Sequence, residues 1–153
     1  MSTGHAEPLR GFPMAEGMVA ATPARQAYQI LHFAFVAAPL IAGVDKFAHV
    51  LVNWDQYLAP WIANLAPVSG HTLMQIAGIV EILAALIVAF SPRIGAWIVF
   101  AWLWAIIVNL VSHPGFYDIA LRDFGLSLGA LALARLSLDF EPRVTARLRK
   151  SVQ

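Results

Sequence analysis

Four groups of polar side chains interrupt the long apolar runs of this 153-residue chain. Asp45, Lys46 and His49 close the run that ends in AGVDKFAHVL. His71 and Gln75 open the next run, and Glu81 follows about ten residues further on, roughly 15 Å along a helix. Asn109, Ser112 and His113 end the third run at i, i+3 and i+4. Asp118, Arg122 and Asp123 open the fourth, with Asp118 and Arg122 at the i,i+4 spacing of a helical ion pair. Lys46 and Arg122 can hold an anion or a quinone oxygen, and Glu81 can exchange a proton. His49, Asn109 and His113 complete the candidate ligand-binding set. Glu81 and Lys46 are the best candidates for a catalytic role, although the sequence leaves open whether the chain catalyses anything. It also leaves open whether Lys46 pairs with Asp45, Glu81 or the acids of the fourth run.

Other chemistries fit poorly. The chain has no cysteine, which excludes disulfides, thiol redox chemistry, iron–sulfur clusters and thiolate metal sites. Di-iron bundles need Glu-x-x-His on two helices, and no acid here has a histidine three residues on. Clustered histidines of the desaturase kind are absent, so no metal site is expected. Haem held by two of His49, His71 and His113 is disfavoured, because histidines at helix ends usually serve as interfacial hydrogen-bonding groups. There is no phosphate loop, nucleophile elbow or H-E-x-x-H. A nucleic-acid partner is not expected, since the basic residues form no patch beyond a short C-terminal tail.

The elements that position these groups follow from composition. The chain is 59% hydrophobic and 12% charged, against about 25% charged for an ordinary soluble domain. A bilayer requires about 20 apolar residues per crossing, and four segments meet this: Gln26–His49, His71–Phe90, Ile94–His113 and Phe116–Leu136. Helices satisfy their own backbone in lipid, so the sequence predicts an all-α membrane protein, an antiparallel bundle of four transmembrane helices over residues 26–138. A charge in the bilayer is costly and should face the bundle interior; Glu81 therefore needs a cationic partner or must be neutral. In the fourth run Asp118, Arg122, Gly125 and Gly129 form a stripe whose glycines allow close helix contact.

Orientation follows from Lys and Arg. Arg10, Arg25, Arg93, Arg135, Arg143, Arg147, Arg149 and Lys150 fall on one side; Lys46 and Arg122 fall on the other. Both termini are thus expected in the cytoplasm, with a polar tail over 1–25 and a basic tail over 139–153. The opening segment has no apolar core of a signal peptide, so the first span is expected to act as a retained anchor. In the outer connection VLVNWDQYLAPWIANLAPVSG, Leu51, Trp54, Leu58, Trp61, Ile62 and Leu65 recur at helical spacing. They predict a short interfacial helix between the first two spans, either an aromatic anchor or a lid for a lipophilic ligand. Ser69 is the expected N-cap of the second span.

Gly43-x-x-Lys46 near the end of the first span, Gly78-x-x-Glu81 in the second and ALRDFGLSLGALAL in the fourth resemble the corresponding motifs of the DoxX/DoxD family of small four-helix membrane proteins. The resemblance covers about residues 26–138 and carries over Lys46, Glu81 and Arg122. It implies a bacterial inner-membrane protein. Named family members include a subunit of a thiosulfate:quinone oxidoreductase, and others associate with membrane redox assemblies. The expected cofactor is a quinone, and the expected partners are membrane lipids and other membrane subunits. The alternative is a non-catalytic accessory subunit of a larger membrane complex, its exposed Trp97, Trp102 and Trp104 meeting protein, lipid or pigment.

Overall fold

The computed structural model describes residues 22–140. Most of the tail expected over 1–25, and all but the first two residues of the basic tail over 139–153, lie outside the described residues. Five α-helices follow in chain order: α1 (Pro23–Ala48), α2 (Pro60–Leu65), α3 (Gly70–Phe90), α4 (Pro92–Val111) and α5 (Tyr117–Phe140). A 3₁₀ turn over Trp54–Tyr57 precedes α2, and no strand occurs among the described residues.

Local signals explain where the helices start and stop. Helix α1 begins three residues before the expected boundary because Thr22 caps it, accepting the Arg25 N–H at 3.3 Å, and Pro23 takes the first helical position. Helix α4 likewise starts at Pro92 rather than at Ile94. It stops at Val111, short of the expected His113, ahead of Pro114 and of Gly115, whose φ is +105°. Helix α5 continues four residues past the expected Leu136. Ser69 caps α3 as expected, accepting the Thr72 N–H at 3.2 Å.

The interfacial segment departs from the single helix that its periodicity predicts. Pro60 cannot continue a helix, and it drives the preceding Ala59 into extended backbone at φ −62° and ψ 135°. The segment therefore splits into the 3₁₀ turn and the six-residue α2.

Helices α1, α3 and α4 are long and apolar enough to cross a membrane. Polarity is inverted relative to a water-soluble domain. Phe90 is 86% exposed and Phe33 75%, whereas Lys46 is 4% exposed and Glu81 6%. Such a distribution suits a chain in contact with lipid, where apolar side chains face outwards and charges face protein. Helix α5 also exposes Leu121, Leu126 and Leu128 while burying Asp123. Its 24 residues extend about 36 Å.

The four long helices make a closed ring of contacts, α1 with α3, α3 with α4, α4 with α5, and α5 with α1. Contacts between α1 and α3 run in opposite sequence order: His32 lies against Val88, whereas Gly43 lies against Gly78. The fold accordingly has two ends. The turn end, near Ser91, contains the apolar core: Phe35, Val88, Val99, Leu103 and Leu133, with alanines between them. The connection end, carrying residues 49–69, contains the buried charges.

Candidate functional site

The glycines of the two short motifs mark where α1 and α3 cross. A Cβ at Gly43 would stand 2.7 Å from the Gly78 carbonyl oxygen, and one at Gly78 would stand 2.7 Å from the Gly43 carbonyl oxygen. Only glycine at both positions permits this approach, and it brings the next turn of each helix together. Lys46 and Glu81, each three residues on from its glycine, therefore meet: Lys46 Nζ donates to Glu81 Oε2 at 2.5 Å. Of the carboxylates available to Lys46, the structure thus pairs it with Glu81.

Two tryptophans close over the pair. Lys46 Nζ lies 3.8 Å from the centre of the Trp54 ring, within the range of a cation–π contact. Trp102 Nε1 donates to the second carboxylate oxygen of Glu81 at 3.4 Å. Asp45 is occupied elsewhere. Its carboxylate accepts the Val50 N–H at 2.9 Å, the Leu51 N–H at 3.0 Å and the Trp54 indole N–H at 2.7 Å. It thereby turns the chain at the end of α1 and holds Trp54 over Lys46. Asp123 of α5 is buried as well, and its ion pair is with Arg122. An open apolar groove lies on the outer face of α1 and the turn that follows it, lined by Leu40, Ile41, Val44, Val50 and Leu51, with Asp45 at its edge.

The remaining candidates take other positions. Arg122 points outwards, its side chain 66% exposed, and its Nε lies 3.3 Å from Asp123 Oδ1. Its ion pair is therefore with its chain neighbour, while Asp118 is exposed. The inward stripe of α5 is Ala120, Asp123, Ser127, Ala130, Ala134 and Ser137, which leaves out the expected Arg122 and Gly125. Gly129 does meet Phe35 of α1, but no atom lies within 4 Å of a Cβ built on Gly125. Asn109 is committed to the connection. Its Oδ1 accepts the Ala59 N–H at 2.9 Å and its Nδ2 donates to the Tyr57 carbonyl at 2.6 Å. Nearby, the Trp61 indole N–H donates to Ser112 Oγ at 2.7 Å. His113 packs on Phe116, ring centroids 5.0 Å apart. His49 stacks on His71 at 5.4 Å, and His71 Nδ1 lies 2.9 Å from Asp55 Oδ2.

Sequence reasoning missed Trp54 and Trp102 as partners of the pair, while Asp123 stood only among the acids open to Lys46. Two of the three carried a further signal. Trp102 and Asn109 are seven residues apart, two helical turns, and so share a face of α4. Asp123 lies in a row of small residues at spacings of three and four, the pattern of a helix packed closely in a membrane. Trp54 was marked only as part of the interfacial row, not as a partner of Lys46.

Comparison with protein-family models, curated proteins and solved structures found no match to this chain.

Proposed function

We propose that the chain is a DoxX-like inner-membrane protein, an antiparallel bundle of four spans with both termini in the cytoplasm, whose Lys46–Glu81 centre binds a quinone within a membrane redox complex. The observation that carries this reading is the buried pair itself. It lies between apolar helices and is covered by indole rings. Intramembrane ionisable groups are functional candidates by default. A quinone reaches such a place through lipid, and its flat ring suits the face of an indole. Lys46 donates to a quinone oxygen, Glu81 exchanges the proton, and a partner subunit supplies or removes the electrons. The family assignment rests on the motif positions Lys46, Glu81 and Arg122. Lys46 and Glu81 are joined at one centre, whereas Arg122 is exposed and pairs with Asp123. The fourth span is α5, which keeps Asp123 inward and leucines outward.

The test is to purify the intact protein from native membrane and to analyse co-extracted lipids and associated subunits by mass spectrometry. A quinone present in proportion to the protein, and lost in a folded Lys46→Met variant, is the expected result. A folded wild-type protein that carries no quinone and binds none when it is added sinks the reading.

A second reading, an accessory subunit, is favoured by one observation. Trp97, Phe100 and Trp104 of α4 and Phe124 of α5 form an edge-to-face ladder in which Trp97 and Trp104 are about half exposed. Such a surface suits a neighbouring membrane helix. Trp102 does not belong to it, because it turns inwards to Glu81. Recovery of a stable complex without quinone would support this reading alone.

A further inference from the structure

Three side chains of metal-ligand type converge at the connection end, apart from the Lys46–Glu81 centre. His49 comes from the C-cap of α1, Asp55 from the 3₁₀ turn and His71 from the first turn of α3. One ligand atom from each lies within 4.8 Å of the others. Asp55 Oδ1 is buried and has no hydrogen-bond partner, an exception to the rule that buried polar atoms are satisfied. The backbone adds an independent observation. His49 is the one non-glycine among the described residues with positive φ, at 53°. Glycine adopts this conformation without steric penalty and is the usual residue at such a helix end. Histidine is among the non-glycine residues that tolerate this conformation, and here its ring stacks on that of His71.

We propose that His49, Asp55 and His71 bind a divalent transition-metal ion of the zinc type, through two imidazole nitrogens and one carboxylate. Two neutral nitrogens and one anionic oxygen form a donor set suited to such an ion, and three protein ligands leave a fourth position for water or an external ligand. Around a tetrahedral ion with bonds of about 2.0–2.1 Å, ligand atoms stand roughly 3.4 Å apart. Side-chain rotation at this exposed end closes the difference. Gln75 already lies 3.2 Å from His71 Nε2. That nitrogen is thus held by the neighbouring turn of α3 and Nδ1 is left to the ion, an arrangement typical of histidine ligands. With the ion bound, Nε2 carries the proton and the Gln75 amide turns its oxygen towards it. The ion enters from the water side, where His71 is exposed. It ties the 3₁₀ turn to α1 and α3, and Trp54, next to Asp55, is thereby fixed over Lys46.

The test uses the full-length protein in detergent, stripped with a chelator and titrated with Zn²⁺ by calorimetry. Bound metal is counted by elemental analysis after desalting. One ion per chain is expected. His71→Gln, Asp55→Asn and His49→Gly should each weaken binding tenfold or more. His49→Gly is the decisive variant, since glycine accepts a φ of 53° and the cap survives the loss of the ring. His113→Gln should bind as the wild type does. The proposal is overturned if the wild-type chain binds no Zn²⁺, or if binding survives replacement of His49 and His71 together, because the ion would then be held elsewhere.

Discussion

The two ends of the molecule are built on opposite terms. At the turn end, Phe35, Val88 and Leu133 pack with alanines into an apolar core, and the polar intruder His32 is satisfied by a single contact, Nε2 to the Val88 carbonyl at 3.0 Å. At the connection end, charges from α1 and α3 are drawn together, and a connecting segment is fastened over them by side-chain hydrogen bonds. Lipid offers no hydrophobic driving force for helices to associate, so the turn end depends on close packing of small and large side chains. The connection end depends on complementary charge, and this makes it the more fragile when a single partner is lost. Function is expected where side chains are held by specific partners.

The largest effect should come from leaving one charge of the pair alone. Lys46→Ala strands Glu81 at the helix crossing and should cost about 3–5 kcal/mol, whereas replacing both partners, Lys46→Met with Glu81→Leu, should restore much of the loss. Thermal unfolding in detergent reads both; equal stability of the single and double variants would mean that the charges are solvated. At the other end, Leu133→Ala opens a cavity at a fully buried position and should cost about 3 kcal/mol. It should leave any ligand bound at Lys46 in place, and loss of ligand binding in that variant would erase the distinction between the ends. Asn109→Ala releases the Ala59 N–H and the Tyr57 carbonyl and should cost about 1–3 kcal/mol. Hydrogen exchange should then quicken at Ala59 but not along α3. The smallest effect is expected for Asp118→Asn, within about 0.5 kcal/mol, as for a surface position without a partner. A cost well above that would restore the Asp118–Arg122 pair that the spacing suggested.

Much of the framework was legible before any coordinates. Apolar runs marked α1, α3 and α4 to within a few residues, and the larger errors arose at Thr22-Pro23 and Pro92, where proline opens a helix ahead of the apolar run, and before Pro114, where α4 stops early. Lys46 and Glu81 were legible as interior charges in need of partners, because a charge inside a membrane helix is costly when unpaired. The phase of α5 was misread. Arg122 and the glycines drew attention to one stripe, while the small residues around Asp123 define the face that packs. The interfacial segment was misread because helical spacing of its aromatic residues outweighed the single break at Pro60.

The sequence alone determined where the chain is apolar, which stretches form its long helices, and that its few interior charges must be paired, because lipid enforces these through composition and spacing. Only the tertiary structure decided which partners meet. The Gly43–Gly78 crossing selects Glu81 for Lys46, and Asp45 spends its oxygens on the turn that carries Trp54. His49, Asp55 and His71 come from three separate elements, so no linear spacing reveals them as a cluster. Helical period places a residue on a face. Whether that face meets a neighbour, and which one, depends on where the helices cross, and backbone approach at the glycines sets that crossing.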